Sequence, residues 1–300
     1  MNQRVTLLEA LQKRVLLSDG AMGTQLQLAG IEAGGCGEYW NLAEPEKVLA
    51  IQRAYVQAGS DCLITNTFGA SRYTLARHGH GERAYAINKA AAQLARQAFE
   101  ACGREGWVLG DVGPFGGFLQ PLGEVTADEL FSILSEQMRG LLDGGADAIL
   151  CETQTALDEA AVGVRAAKAA GAPCVIASFA FDKVADGYRT MMGVAPADVV
   201  AGLAELGVDI FAANCGTGVE ITDYVNIVRS YRAATDRPIM AQPNAGQPSM
   251  KAGRVIYLED PDKMASHVRD LAAAGASIIG GCCGTTPEHI RLFRQQFNAG

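Results

Sequence analysis

The sequence has no apolar run approaching the ~20 residues that a bilayer-spanning helix requires, which argues against a helical membrane protein. Its first residues, Met1-Asn2-Gln3-Arg4-Val5-Thr6-Leu7-Leu8-Glu9, lack the apolar core of a secretory signal. There is no basic arm and no block of like charge, and the formal net charge is −8. Neither nucleic acid nor an anionic membrane surface is therefore an expected partner. Histidine is scarce: His78, His80, His267 and His289 all fall on or beside expected helices, where surface or helix-end roles are the ordinary reading, and only His78-Gly79-His80 forms a pair. Eight cysteines are present, but their spacing is irregular and the chain is far longer than a disulfide-stapled secreted domain. A cytoplasmic location with reduced thiols is expected, which leaves metal binding or catalysis for any cysteines that cluster.

What the sequence does contain is one repeated unit across its 300 residues, 49% of them hydrophobic. A helical stretch ends at glycine, and a short apolar run then leads to a polar residue and a loop. Ala58-Gly59-Ser60-Asp61 opens Cys62–Asn66, Gly144-Gly145-Ala146-Asp147 opens Ala148–Glu152, and Ala170-Gly171-Ala172-Pro173 opens Cys174–Ser178. Leu206-Gly207-Val208-Asp209 opens the run to Asn214, and Ala274-Gly275-Ala276 opens the run to Cys282. Val15–Asp19, Trp107–Asp111 and Pro238–Gln242 complete about eight such runs. Short continuous apolar runs between helices indicate parallel strands buried on both faces. Thr126-Ala127-Asp128-Glu129 is a capping box, and Ala84–Ala101, the stretch after Asp260-Pro261, and Pro287 onward carry one-sided apolar positions. Eight βα units without a long linker predict a single (β/α)8 barrel over residues 1–300. A doubly wound sheet is the alternative, but Asp111-Val112-Gly113-Pro114-Phe115-Gly116-Gly117 lacks the G-x-G-x-x-G spacing that would favour it.

In a barrel the chemistry sits at the C-terminal strand ends. Those ends carry Asp19, Asn66, Asp111, Glu152, Ser178, Asn214-Cys215, Gln242-Pro243-Asn244 and Cys282-Cys283. Cys62, Cys102, Cys151 and Cys174 lie in apolar surroundings and read as small buried side chains. Adjacent Cys282 and Cys283 do not readily form a disulfide, because neighbouring Cα atoms are only about 3.8 Å apart. With Cys215 at another strand mouth they can form a three-thiolate site for zinc with a fourth position open. Such a site is too electron-rich to favour making hydroxide and suits holding a substrate thiolate, so the expected chemistry is alkyl transfer to sulfur. Glu152 is placed to take an ammonium group, and backbone N–H groups of the loop Asp19-Gly20-Ala21-Met22-Gly23-Thr24 to take a carboxylate. A metal-free, aldolase-like barrel lacks a strand-end lysine here.

These motifs resemble the zinc-dependent homocysteine S-methyltransferase family. The resemblance runs through Asp19–Thr24, Glu38-Tyr39-Trp40-Asn41-Leu42, Thr65-Asn66-Thr67-Phe68, Gly113-Pro114, Glu152-Thr153, Asn214-Cys215, Pro243-Asn244-Ala245-Gly246 and Gly280–Ile290. Asp111-Val112-Gly113-Pro114, Pro243–Gly246 and Cys282–His289 are most like the homocysteine-binding module of cobalamin-dependent methionine synthases. The resemblance implies Zn2+ on Cys215, Cys282 and Cys283, homocysteine as acceptor and methionine as product. It implies that Glu152 and Asp19, Gly20, Ala21 and Met22 hold the amino acid, with Asn66 nearby and Asn244 beside or on the metal. No cobalamin or folate module is read in these residues. A separate methyl-corrinoid protein is the expected donor, with S-methylmethionine or a betaine, or a non-catalytic thiol-binding barrel, as the alternatives.

Overall fold

The computed structural model describes residues 5–251, 254–257 and 259–298; Met1–Arg4, at the head of the stretch read for a signal, lie outside the described residues. Eight strands form one parallel sheet: β1 (Leu16–Leu17), β2 (Cys62–Ile64), β3 (Trp107–Val112), β4 (Ala148–Gln154), β5 (Val175–Phe179), β6 (Ile210–Asn214), β7 (Ile239–Gln242) and β8 (Ile278–Ile279). Each pairs with the next from β2 to β8, and β8 pairs with β1, giving a nearly closed (β/α)8 barrel with helices between the strands. Every strand coincides with an apolar run expected from sequence, β3, β4 and β5 extending one or two residues past it, and Gly59, Gly145, Gly171, Gly207 and Gly275 take the positive φ that ends each preceding helical segment.

Alternation along the strands sorts the core. Leu16, Cys62, Leu109, Leu150, Ile176, Ile210, Ala212, Met240 and Ile278 fill the barrel interior. Leu17, Leu63, Val108, Ile149, Val175, Phe211, Ile239 and Ile279 face the surrounding helices. A short helix, Leu7–Leu11, capped by Thr6 and Glu9, plugs the N-terminal end with Leu7 and Ala10. One inward step beyond the apolar layers, the side chains become polar: Asp111, Glu152, Ser178, Asn214 and Gln242, all buried. This change of chemistry at fixed parity makes the C-terminal mouth a polar chamber on an apolar floor.

The joint between β1 and β2 has no ladder, and carboxylates bridge it. Asp61 N–H donates to Leu17 O (2.7 Å), Leu17 N–H to Asp61 Oδ2 (2.9 Å) and Ile64 N–H to Asp19 Oδ2 (2.9 Å). Arg14 grips Asp61 bidentately at 2.9 and 3.0 Å, and Arg294 reaches the same carboxylate from the last helix. Burial opposes ionisation of Asp61, but Arg14, Arg294 and the Leu17 N–H outweigh it and hold its pKa below the ordinary value.

Three features depart from the sequence reading. Two antiparallel hairpins, Asp182–Val184 with Gly187–Arg189 and Pro248–Lys251 with Arg254–Tyr257, stand in the loops after β5 and β7. The helix expected from Asp260 breaks at His267 into Pro261–Ser266 and Val268–Ala274, although Met264, Val268 and Leu271 are buried as expected. His289 is buried rather than at the surface, because its Nδ1 turns back to accept the Thr286 N–H at 3.1 Å.

Asp61→Asn removes the charge shared by three arginines, Arg14, Arg294 and, at 3.8 Å, Arg104. The expected loss is about 3 kcal/mol of unfolding free energy, read from urea denaturation at pH 7. Because the folded pKa is depressed, this contribution is present above the unfolded carboxylate range and disappears as pH falls through the folded pKa. The variant and wild type should therefore converge in strong acid.

Candidate metal centre and ligand pocket

Among the described residues, Cys215, Cys282 and Cys283 form the one group of three or more potential metal-ligating side chains, with sulfurs all within 4.8 Å of one another. Cys282 and Cys283 Sγ are 4.0 Å apart. The His78–His80 pair forms no such group; His80 instead stacks on Tyr39 with ring centroids 3.8 Å apart.

Bringing Cys215 to this place requires a break in strand alternation. Ile210, Ala212 and Asn214 point inward, so a continued strand would turn Cys215 outward toward the helices. Cys215 instead adopts φ 55, a left-handed value that side chains other than glycine rarely take. Gly216 follows at φ 92, where a Cβ would lie 2.1 Å from Phe181 O. The Tyr224 hydroxyl donates to Cys215 O and holds the turn. The same device occurs on β4, where Thr153 at φ 57 sits in a register shift between Cys151 and Gln154. Asn214 ties the two together: its Oδ1 accepts from Ser178 Oγ (2.6 Å) and Thr153 N (3.1 Å), and its Nδ2 donates to Thr153 Oγ1 (2.7 Å). Its Nδ2 also lies 3.8 Å from Cys282 Sγ. Strained backbone at two strand ends on either side of β5, braced by Asn214 at Thr153 and by Tyr224 at Cys215, is the expected state of a preorganised site.

The cysteine pair is fixed through its backbone. Cys282 N–H donates to Pro243 O (2.9 Å), Ala245 N–H to Cys283 O (2.9 Å) and Thr285 Oγ1 to Cys282 O (2.7 Å). Gly280 admits β1 close alongside: a Cβ there would sit 1.9 Å from Ser18 Oγ.

Three thiols this close cannot all ionise unaided. Hydrogen bonds from Cys282 and Cys283 pull the Cys215 pKa down to about 2. The same contacts with Cys215 keep the other two protonated, pushing Cys283 up to about 11 and Cys282 well above the ordinary thiol value, with burial adding to both. Beside them, Asn244 Nδ2 lies 3.8 Å from Cys215 Sγ, while its Oδ1 is buried without a partner. A soft sulfur triad with a bare amide oxygen at its edge fits a thiophilic tetrahedral cation such as zinc.

The remaining expected residues surround this centre unevenly. Glu152 is 9% exposed; burial, helped by the charge on Cys215, raises its pKa to about 7 against a weak hydrogen bond from Gln242 Nε2 at 3.4 Å. Asp19 is buried, and its burial drives its pKa well up. Gly20 and Ala21 lead into the helix Met22–Leu28, but the Ala21 N–H is taken by Thr285 Oγ1 at 3.1 Å. The first-turn N–H groups of Met22, Gly23 and Thr24 have no partner within that helix. Asn66 spends its amide on Gly37 O (2.8 Å) and Asn41 Oδ1 (3.2 Å), so it anchors the loop after β1. Sequence reasoning missed Tyr257, whose hydroxyl meets the Cys283 thiol from the second hairpin. It also missed Thr285 as a contact of both the thiol loop and Ala21.

An eight-stranded barrel with three clustered thiols at its C-terminal mouth defines a class of barrel with a candidate metal centre. The homocysteine S-methyltransferase family model matches residues 16–297, and the chain belongs to that family. It is 35% identical over 301 residues to the methionine synthase of Mycobacterium tuberculosis, covering 95% of this chain and 25% of that one. The chain thus spans about a quarter of the length of the methionine synthases it matches. The homocysteine methyltransferase MmuM from Escherichia coli superposes with a TM-score of 0.79 at 26% identity in its oxidized form, covering 95% of this chain and 97% of that one. Its metallated form matches with the same score and identity.

Glu152→Gln offers a direct test of the pocket electrostatics. In protein stripped of metal, the folded state binds the Glu152 proton more tightly than the unfolded chain, whose pKa is near 4.5. Stability should therefore fall as pH rises from 4.5 to about 7. The glutamine variant should remove up to about 3 kcal/mol of that slope, read from urea midpoints across the interval.

Proposed function

We propose that this chain transfers a methyl group to the sulfur of homocysteine, giving methionine, with zinc held by Cys215, Cys282 and Cys283. The observation that carries this reading is the triad of sulfurs within 4.8 Å, assembled by a left-handed turn that serves no strand geometry. When bound, zinc supplies the positive charge that lets a thiol ionise at neutral pH and remain nucleophilic. The protein's own residues do the rest. Glu152, aligned by Gln242, receives the substrate ammonium. The backbone between Asp19 and Met22 receives its carboxylate, with Thr285 occupying the Ala21 N–H and leaving the first helical turn as the donor surface. Asn214 and Asn244 fix the positions of Cys282 and Cys215. The apolar floor under the mouth keeps water from the reacting sulfur on that side.

A methyl-corrinoid protein is the proposed donor. Support comes from the methionine synthases among the relatives and from the rim, where Phe68, Phe118, Leu122, Met191 and Met250 are exposed on loops around the mouth. Apolar side chains gathered round a site suit a macromolecular partner. A small-molecule donor such as S-methylmethionine or a betaine is the second reading, favoured by the end-to-end match to MmuM. A cytoplasmic setting fits eight free cysteines, three of them needed as thiolates.

Zinc-loaded protein given homocysteine with methylcobalamin, S-methylmethionine and betaine in turn should yield methionine from methylcobalamin. Tight homocysteine binding with no product from any donor would reduce the chain to a binding barrel. Cys215→Ser should remain folded, carry less than stoichiometric zinc, and lose at least about 100-fold in methionine formation. Full zinc content and activity in that variant would defeat the reading. Zinc should also dissociate on acidification as protons compete for sulfur, followed by metal analysis after dialysis over descending pH.

A further inference from the structure

Asp111 takes no part in the chemistry described so far, yet its position is costly. It ends the inward row of β3, in register with Leu150 of β4, so Glu152 stands two residues further along the neighbouring strand. Asp111 is 3% exposed, and its Oδ1 has no hydrogen-bond partner. The charged groups that reach it are Glu152, Glu38 and Asp19, all acidic. Asp19 is 1% exposed and also has a partnerless Oδ1, its other oxygen being committed to the Ile64 N–H.

The local structure of β3 makes little use of the Asp111 carboxylate: the Val112 backbone N–H favours it, but Oδ1 is left unpaired. The Asp111 backbone N–H meets Thr65 Oγ1 at 2.9 Å, and its carbonyl accepts from Thr67 Oγ1 at 2.7 Å and Gln137 Nε2 at 3.4 Å. A buried carboxylate with an oxygen left unpaired destabilises the fold, and three carboxylates that repel one another do so more. Such an arrangement is satisfied by a cationic ligand. A single metal ion does not fit, since Asp19, Asp111 and Glu152 do not bring their oxygens within 4.8 Å of one another as the thiols do. An ammonium group does fit: its three N–H donors diverge, so Glu152 on one side cannot receive all of them, and Gln242 already approaches Glu152 Oε1.

We propose that Asp111 is a specificity-determining residue that, together with Glu152, receives the ammonium group of the amino-acid thiol. The assignment rests on the reading of this mouth as a homocysteine site and adds a residue to it. Asp111 touches the substrate at the end opposite the sulfur, so it selects α-amino thiols over plain thiols and leaves the sulfur chemistry alone. Asp19 contributes negative potential from the far side and keeps its structural bond across the seam.

The test compares zinc-loaded wild type with Asp111→Asn, using homocysteine and its des-amino analogue 4-sulfanylbutanoate, by calorimetry and by initial rates. Homocysteine affinity should weaken about 30-fold in the variant, the size of one charge-assisted hydrogen bond, and KM should rise in step. Affinity for 4-sulfanylbutanoate should change less than about 3-fold, and kcat at saturating homocysteine should hold within the same margin. Thermal unfolding of the ligand-free variant should be unchanged or higher, because an unpaired charge has gone. Should Asp111→Asn fail to fold, Asp111→Ser gives the same comparison. Equal loss for both thiols in a folded variant, or unaltered homocysteine affinity, overturns the assignment. Wild-type protein that binds neither thiol sinks the homocysteine reading itself, and the assignment with it.

Discussion

Like-charged groups crowd one end of this barrel, and the rest of the structure exists to hold them there. Three thiols within 4.8 Å and the buried carboxylates Asp19, Asp111 and Glu152 share one mouth, and the charged neighbours of Asp111 are all acidic. Left to themselves these groups relax by taking up protons, as the raised pKa values of Glu152, Asp111 and Asp19 record. Holding them in place draws on free energy stored elsewhere. It comes from the apolar layers beneath, where Leu109, Leu150, Ile176, Ala212 and Met240 are fully buried, and from the helix ring packed outside. Burial on this scale stabilises by about 25 cal/mol per Å² of apolar surface, so a large floor can support a small repulsive mouth.

The second constraint is parity. A strand sends alternate side chains inward, so two neighbouring residues cannot both face the mouth without breaking the pattern. The chain breaks it at Thr153 and at Cys215, each with a left-handed residue that is not glycine. Each such residue costs of order 1 kcal/mol or more. Asn214 braces the Thr153 turn with one buried amide, and it is also the inward residue immediately before Cys215, whose turn Tyr224 holds. The strain is thus confined to two strand ends on either side of β5, each turn held by one side chain.

Much of this could be read from residues alone, for identifiable reasons. The eight strands were legible because parallel strands buried on both faces leave continuous apolar runs, each introduced by a helix-ending glycine. Glu152, Asn214, Cys215 and the Cys282-Cys283 pair were legible because chemistry in a barrel gathers at strand ends, and the runs showed where the strands end. The two mouth hairpins were not: Asp186-Gly187 offers a turn signal in the first, but its flanks, Asp182–Val184 and Gly187–Arg189, are too short and polar to show a strand pattern, and the second has no Asn-Gly or Asp-Gly pair between Pro248–Lys251 and Arg254–Tyr257. The burial of His289 was hidden because the residue occupies the third helical position, where a side chain turns back to the cap. Asn66, which the family resemblance sets near the ligand, gives its amide N–H groups to Gly37 and Asn41, a bond pattern that a strand-end position alone does not reveal.

The seam and the site are built from the same residues. Asp19 bridges β1 to β2 through Oδ2, accepts the Gly281 N–H on its carbonyl at 3.0 Å, and presents its other carboxylate oxygen to the mouth. Tyr55 adds a second tie, donating to Ala21 O at 3.0 Å with Thr285 O at 3.3 Å. The loop that carries Cys282 and Cys283 is therefore keyed into the one joint of the barrel without a strand ladder. A ladder there would fix β1 and β2 through backbone alone and leave their side chains free to diverge. Side-chain closure instead makes the position of Asp19, and through it Gly281 and the thiol pair, a condition of closing the barrel. The geometry of the sulfurs is set when the fold closes, before any ligand arrives.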